Sequence, residues 1–89
     1  SAITHFPPAD GLSSNRVYSF QRSEFHPCIW IGTEGPGLCY YSYKENRIKT
    51  IPQQEDTPPI RYIHSICEVN DSTLWLATTG NGLLKVTYG

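Results

Sequence analysis

Two short glycine clusters, Gly35-Pro36-Gly37 and Gly80-Asn81-Gly82, are the places in this chain where bare backbone could cradle an anion. A phosphate cradle needs a helix starting directly after the glycines. Both clusters stand between segments patterned as strands, so both read as hairpin turns. His26-Pro27-Cys28 sets two metal-competent side chains together, but the further ligands a zinc site needs are missing from its neighbourhood, and it reads as a solvent-facing hairpin tip. Cys28, Cys39 and Cys67 make an odd count without CxxC spacing. They signal neither a disulfide framework nor a metal site; each reads as a free thiol, with one disulfide plus one leftover cysteine as the alternative. Ser13, Ser14 and Ser19 lack a nucleophile-elbow context. The loop carboxylates Glu24, Glu34 and Asp71 are not paired by spacing for glycoside hydrolysis. His5 and His64 fall in alternating segments and read as packed, hydrogen-bonded imidazoles. Tyr18, Tyr40, Tyr41, Tyr43, Tyr62 and Tyr88 are dispersed, suited to strand packing first and to stacking on sugars second. No catalytic residue, metal ligand or cofactor is assigned.

The elements that hold these residues are organised by an internal repeat. Ile29-Trp30-Ile31-Gly32-Thr33-Glu34-Gly35-Pro36-Gly37-Leu38 returns as Leu74-Trp75-Leu76-Ala77-Thr78-Thr79-Gly80-Asn81-Gly82-Leu83, 45 residues on. Upstream, Val17-Tyr18-Ser19-Phe20 aligns with Ile63-His64-Ser65-Ile66 at a spacing of 46. One extra residue therefore lies between the blocks of the first copy, and a slip between matched blocks marks a loop. The structural repeat core is expected at Val17, Phe20, Trp30, Gly35, Gly37, Leu38, Ile63, Ile66, Trp75, Gly80, Gly82 and Leu83.

Composition narrows the class. Seven Lys plus Arg against eight Asp plus Glu give no charge bias toward nucleic acid or an anionic membrane. No apolar run approaches the length of a membrane span, so no nucleic-acid or membrane contact is expected of this segment. Eighty-nine residues suffice for one small, marginal domain. The Ser-Ala opening without an initiator Met reads as a tag scar on an excised fragment, with no signal peptide, so a larger parent protein is expected.

Along the chain, residues 3–6 (Ile3, Thr4, His5, Phe6) alternate and are stopped by Pro7-Pro8, the mark of an edge strand. A turn-rich cluster, Asp10-Gly11-Leu12-Ser13-Ser14-Asn15, follows. Strands are expected at 16–21, 29–33, 38–43 and 47–51, with a variable loop at 22–27 and a polar turn at 44–46. After a Pro-rich connection at 52–59 the cycle restarts, with strands at 61–68, 74–78 and 82–87 and a loop at 69–73. No helical period is sustained anywhere. The fold class is all-β: two antiparallel four-stranded β-propeller blades, the second lacking its outermost strand within the chain.

A β-sandwich is the competing fold. It would leave one face of each strand polar, which Ile29-Trp30-Ile31 and Leu74-Trp75-Leu76 do not. The domain layout is then an outer strand of a preceding blade with its connector (1–9), a first blade (10–52) and a three-stranded second blade (53–89). Two blades alone leave open faces. The expected partners are other blades of the parent, or neighbouring copies of the fragment that close a ring through the 3–6 strand.

Asp10-Gly11-Leu12-Ser13-Ser14-Asn15-Arg16-Val17-Tyr18-Ser19, followed by Ile29-Trp30-Ile31-Gly32-Thr33 and Gly35-Pro36-Gly37-Leu38, resembles the two-component regulator propeller repeat. The second copy departs from the pattern, with Pro58-Pro59-Ile60-Arg61 at its opening and Ala77 after the Trp strand. The resemblance implies a parent that is a membrane-bound hybrid sensor histidine kinase, with these blades in its periplasmic sensor region. It implies a non-catalytic recognition module responding to glycan fragments, the kinase lying elsewhere in the parent. The alternatives are purely structural or dimerising blades and, further off, a carbohydrate-active enzyme on a propeller scaffold. Strand alternation brings the Gly turns and the inter-blade connections out on one face, where loops on a rigid scaffold usually bind. The ligand-binding candidates are accordingly Asn15, Arg16, Glu34, Thr79 and Asn81, with an oligosaccharide as the ligand.

Overall fold

A computed structural model describes residues 2–5, 16–34, 37–51, 60 and 62–88. The turn cluster at 10–15, the connection at 52–59, Phe6, Asn15 and Gly35 lie outside the described residues. The described residues form seven strands and no helix: β1 Val17–Arg22, β2 Cys28–Thr33, β3 Leu38–Ser42, β4 Arg47–Ile51, β5 Ile63–Asn70, β6 Thr73–Thr78 and β7 Leu83–Thr87. β1 to β4 make one antiparallel meander and β5 to β7 a second, the four- and three-stranded sheets expected of consecutive propeller blades.

The registers locate the slip between the copies. Arg22 pairs with Ile29 in the first sheet and Glu68 with Leu74 in the second, so the extra residue falls in the β1–β2 hairpin. β5 runs on to Asn70 where a loop was expected from 69, leaving only Asp71 and Ser72 as the turn. Each sheet also carries a bulge at the same place, between Val17 and Ser19 and between Ile63 and Ser65. Tyr18 and His64 are the residues squeezed out, and a bulge re-aims the side chain it carries.

The core lies between the sheets. Pairing sets Trp30, Gly32 and Leu38 on the face of the first sheet that meets the second, which contributes Ile63, Ile66, Leu74 and Leu76. Contact is closest between β1 and β5. Gly32 makes that approach possible: a Cβ there would lie 2.7 Å from Ile63 Cβ and 2.5 Å from Ser19 Oγ. The Ser19 hydroxyl donates to the Ile63 carbonyl at 2.8 Å across the same seam.

Several expected core residues stand outside it. Phe20 is 74 % exposed, Leu83 is 65 % exposed, Val17 is exposed and Trp75 is only partly buried. The cause is geometric. Phe20 pairs with Ile31 on the first sheet's other face, where Ile31 and Tyr41 pack on buried Cys39 and Ile48 in a separate cluster. Trp75 and Leu83 lie on the second sheet's outer face. The Trp strands are thus fully covered on one side each rather than on both. Residues 2–5 form no strand and Ile3 is 99 % exposed, because a strand exists only when an edge pairs with it. Cys28, Cys39 and Cys67 are free thiols, the first two buried and the third exposed.

Gly32→Ala should lower stability by about 1–3 kcal/mol, the usual cost of overpacking, read as a lower urea midpoint at unchanged slope. The same change in the other direction at the equivalent position, Ala77→Gly, should act only through the roughly 1 kcal/mol or less that a strand glycine costs.

Candidate functional site

Two ends of the sheet pair gather polar and aromatic groups. At the first end, where the Gly turns emerge, Arg16 Nε lies 3.3 Å from Glu34 Oε2, and the Glu34 amide donates to the Arg16 carbonyl at 2.9 Å. The ion pair is mostly in water, so it contributes about 0–1 kcal/mol and orients more than it stabilises. Across the seam, His64 Nε2 bonds Thr79 Oγ1, and the Thr79 amide donates to the Tyr62 carbonyl at 3.2 Å. Tyr62 holds φ at 51°. For a bulky residue that conformation costs roughly 1–3 kcal/mol, so the Thr79 bond and neighbouring rings must hold it. Asn81 sits in the β6–β7 turn between Gly80 and Gly82, both at positive φ, with Thr78 N and Oγ1 donating to the Gly82 carbonyl at 3.0 and 2.8 Å.

The two halves are joined by rings. Tyr18 lies 6.0 Å from Tyr62 and 6.2 Å from His64, centroid to centroid, tilted in both pairs. All three are exposed. The structure therefore brings Arg16 to Glu34 and Thr79 to His64, and places Asn81 at the same end; Asn15 lies outside the described residues. The aromatic trio is what reading the residues singly misses. The available signal was that Tyr18 and His64 occupy one position in the two copies, which the shared bulge turns outward.

The other end is a clamp. Glu68, near the end of β5, receives Ser23 Oγ at 2.5 Å, the Glu24 amide at 2.8 Å and Trp30 Nε1 at 3.0 Å. Ser23 Oγ also accepts the Phe25 and His26 amides at 3.2 and 3.0 Å, which curls the hairpin around the carboxylate. His26, read as a solvent-facing tip, instead donates from Nε2 to the Asp71 carbonyl at 2.6 Å and stands 5.6 Å from the Tyr88 ring. Burial works to raise the Glu68 pKa, but the bonds from Ser23, Glu24 and Trp30, with His26 nearby, outweigh it and hold the carboxyl below its ordinary value.

Beside the clamp a cleft of about 290 Å³ opens over Cys28, Trp30, Tyr40, Ile51 and Tyr88. The Tyr88 hydroxyl is buried there without a hydrogen-bond partner among the described residues, and burial, with Glu68, Cys28 and Asp71 close by, pushes its pKa up to about 12. Burial also pushes the Cys28 thiol up, against its Ser23 hydrogen bond and with Glu68 adding to the rise. A thiol and a phenol both favoured in their protonated forms, beside a carboxylate fixed by three donors, suit a packed joint between the sheets. The cleft lies where β4 has no counterpart in the three-stranded second sheet.

A depressed carboxyl stabilises the fold above the unfolded pKa, near 4.5, and that contribution is lost as pH falls through the folded value. Glu68→Gln should cost about 1–3 kcal/mol at neutral pH and flatten the loss of stability below pH 4.5. Urea midpoints of both chains between pH 3 and pH 7 check this.

Comparison with known proteins bears on what such a pair of sheets belongs to. Among curated proteins and among solved structures, no match was found. Residues 57–80, in the second copy, match the family described as two component regulator propeller, whereas the sequence pattern alone places the resemblance chiefly in the first copy.

Proposed function

We propose that this chain is part of a non-catalytic recognition module in the periplasmic sensor region of a hybrid two-component signalling protein, and that its ligands are glycan fragments. The observation that carries the reading is the exposed trio Tyr18, Tyr62 and His64, set between the Arg16–Glu34 pair and Thr79. Flat, tilted rings beside fixed hydrogen-bonding groups suit the apolar faces and hydroxyl edges of pyranose rings. The match of residues 57–80 to the two component regulator propeller family supports the signalling context. Tyr18 belongs to the first sheet and Tyr62 enters the second, so one ligand seated on both would favour one arrangement of the two sheets. That is the kind of differential affinity by which a sensor alters a kinase elsewhere in its chain.

The test is titration of the chain with a panel of soluble oligosaccharides, followed by heteronuclear NMR of the tyrosine and histidine rings. Binding that perturbs Tyr18, Tyr62 and His64 is expected, weakened about tenfold or more by Tyr62→Ala, a truncation of roughly 1.4 kcal/mol or more. A folded chain that binds none of the panel would leave the blades as a structural module.

A further inference from the structure

Among the described residues, the Tyr88 hydroxyl is the one buried side-chain polar atom that nothing bonds. Such a group costs free energy until a partner meets it. Its ring is firmly placed. The Tyr88 amide donates to the Ser72 carbonyl at 2.8 Å, and the ring stands 5.1 Å from Trp30 and 5.6 Å from His26, centroid to centroid. Trp30 in turn lies 5.5 Å from Tyr40. A row of tilted rings, with Ile51 and Cys28, therefore walls the cleft of about 290 Å³ that Tyr88 lines. The polar side chains nearby are already engaged: His26 Nε2 donates to the Asp71 carbonyl at 2.6 Å, and Ser42 Oγ accepts the Glu45 amide at 3.2 Å. A water on the hydroxyl would need further polar partners, which these walls supply poorly. A docked strand is no better matched, because strands are held through backbone groups and the Tyr88 amide is taken. What is left to satisfy is one side-chain donor beside an apolar slot.

We propose that this cleft is a binding site for a small, uncharged aromatic molecule bearing a carbonyl-type acceptor, its ring against Trp30, Tyr40 and Ile51 and its acceptor on the Tyr88 hydroxyl. Three features select that class. The volume is at the lower end of the range for ligand pockets, which fits one ring with a short substituent. Tilted aromatic walls favour a further ring in offset or edge contact. Charge excludes anions: Glu68 accepts the Trp30 indole N–H at 3.0 Å, so a fixed carboxylate stands beside the cleft, and a second negative charge would be repelled. Tyr88 follows β7 of the second sheet, whereas Trp30, Tyr40 and Ile51 belong to the first. A molecule seated on all four ties the two sheets together, and by mass action it should stabilise the folded chain.

The cleft is at the clamp end and shares no residue with the Tyr18, Tyr62 and His64 surface, so this proposal does not rest on the glycan reading and each can fail alone. The test is an NMR titration of the isotope-labelled chain with probes of one shape: acetophenone, α-methylstyrene, in which a methylene replaces the carbonyl oxygen, and benzoate. Acetophenone should shift the Trp30 indole N–H saturably, leave that of Trp75 on the outer face unmoved, and raise the urea midpoint. On the wild-type chain α-methylstyrene should bind about tenfold or more weakly than acetophenone, and benzoate several-fold more weakly or not at all. Tyr88→Phe should bring the two neutral probes to equal affinity. Because it removes an unsatisfied hydroxyl, it should leave the urea midpoint of the free chain unchanged or raised. A lowered midpoint would show that the hydroxyl already has a partner and would overturn the proposal. So would equal binding of the neutral probes to wild type, benzoate binding as well as acetophenone, or no saturable shift at Trp30. The probe comparison on wild type needs no variant and decides alone if Tyr88→Phe fails to fold. A peptide of residues 1–9 that shifts the Trp30 indole where acetophenone does not would make the occupant a strand and overturn the proposal equally.

Discussion

The structure depends on one carboxylate held between two sheets. Glu68 leaves the second sheet near its edge and takes three donors from the first, one of them the indole of the central tryptophan. A carboxylate removed from water without partners is costly, and one with several charge-assisted bonds is not. The same bonds fix geometry, because a hydroxyl, an amide and an indole N–H converge on one group only at one sliding position of the sheets. At the other end of the seam, Gly32 lets β1 close on Ile63. A polar pin and a steric gap thus set the register of two faces whose apolar contacts alone are tolerant of sliding.

A repeat protein shows the same local sequence in two environments, and here the difference is large. Leu38 and Leu83 hold equivalent places within their sheets, and one is buried while the other faces solvent. Intrinsic strand preference and hydrophobic pattern are therefore satisfied within each sheet. Burial, which contributes more to stability than either, is settled only by what lies on top. This is why Phe20, Trp75 and Leu83, expected in the core from pattern alone, stand outside it in these two sheets.

Strand order, hairpin positions and the slip between copies were legible in the sequence, since each rests on period-two patterning and on the 45- and 46-residue spacings. The Trp strands and β4 were placed within one residue of their ends. The clamp was not legible. Glu68 ends a strand in an alternating run, and Ser23 and His26 read as parts of a loop; nothing local tells that Ser23 meets the Glu68 carboxylate, or His26 the Asp71 carbonyl, across 45 residues of chain. The aromatic trio was half legible. The alignment of Tyr18 with His64 was visible, but outward aim comes from a bulge, which pattern alone does not mark, and Tyr62 lay in what read as strand rather than entry turn.

The two ends of the seam divide the work between them. At the clamp end the sheets are locked by a partly buried network, which favours a single arrangement. At the loop end they meet through tilted rings and through backbone strain at Tyr62, interactions of small energy that a bound molecule can rival. A joint fixed at one end and soft at the other turns small displacements at the soft end into rotation about the fixed one. A ligand bridging Tyr18 and Tyr62 would act on that lever with the few kcal/mol that separate populated arrangements.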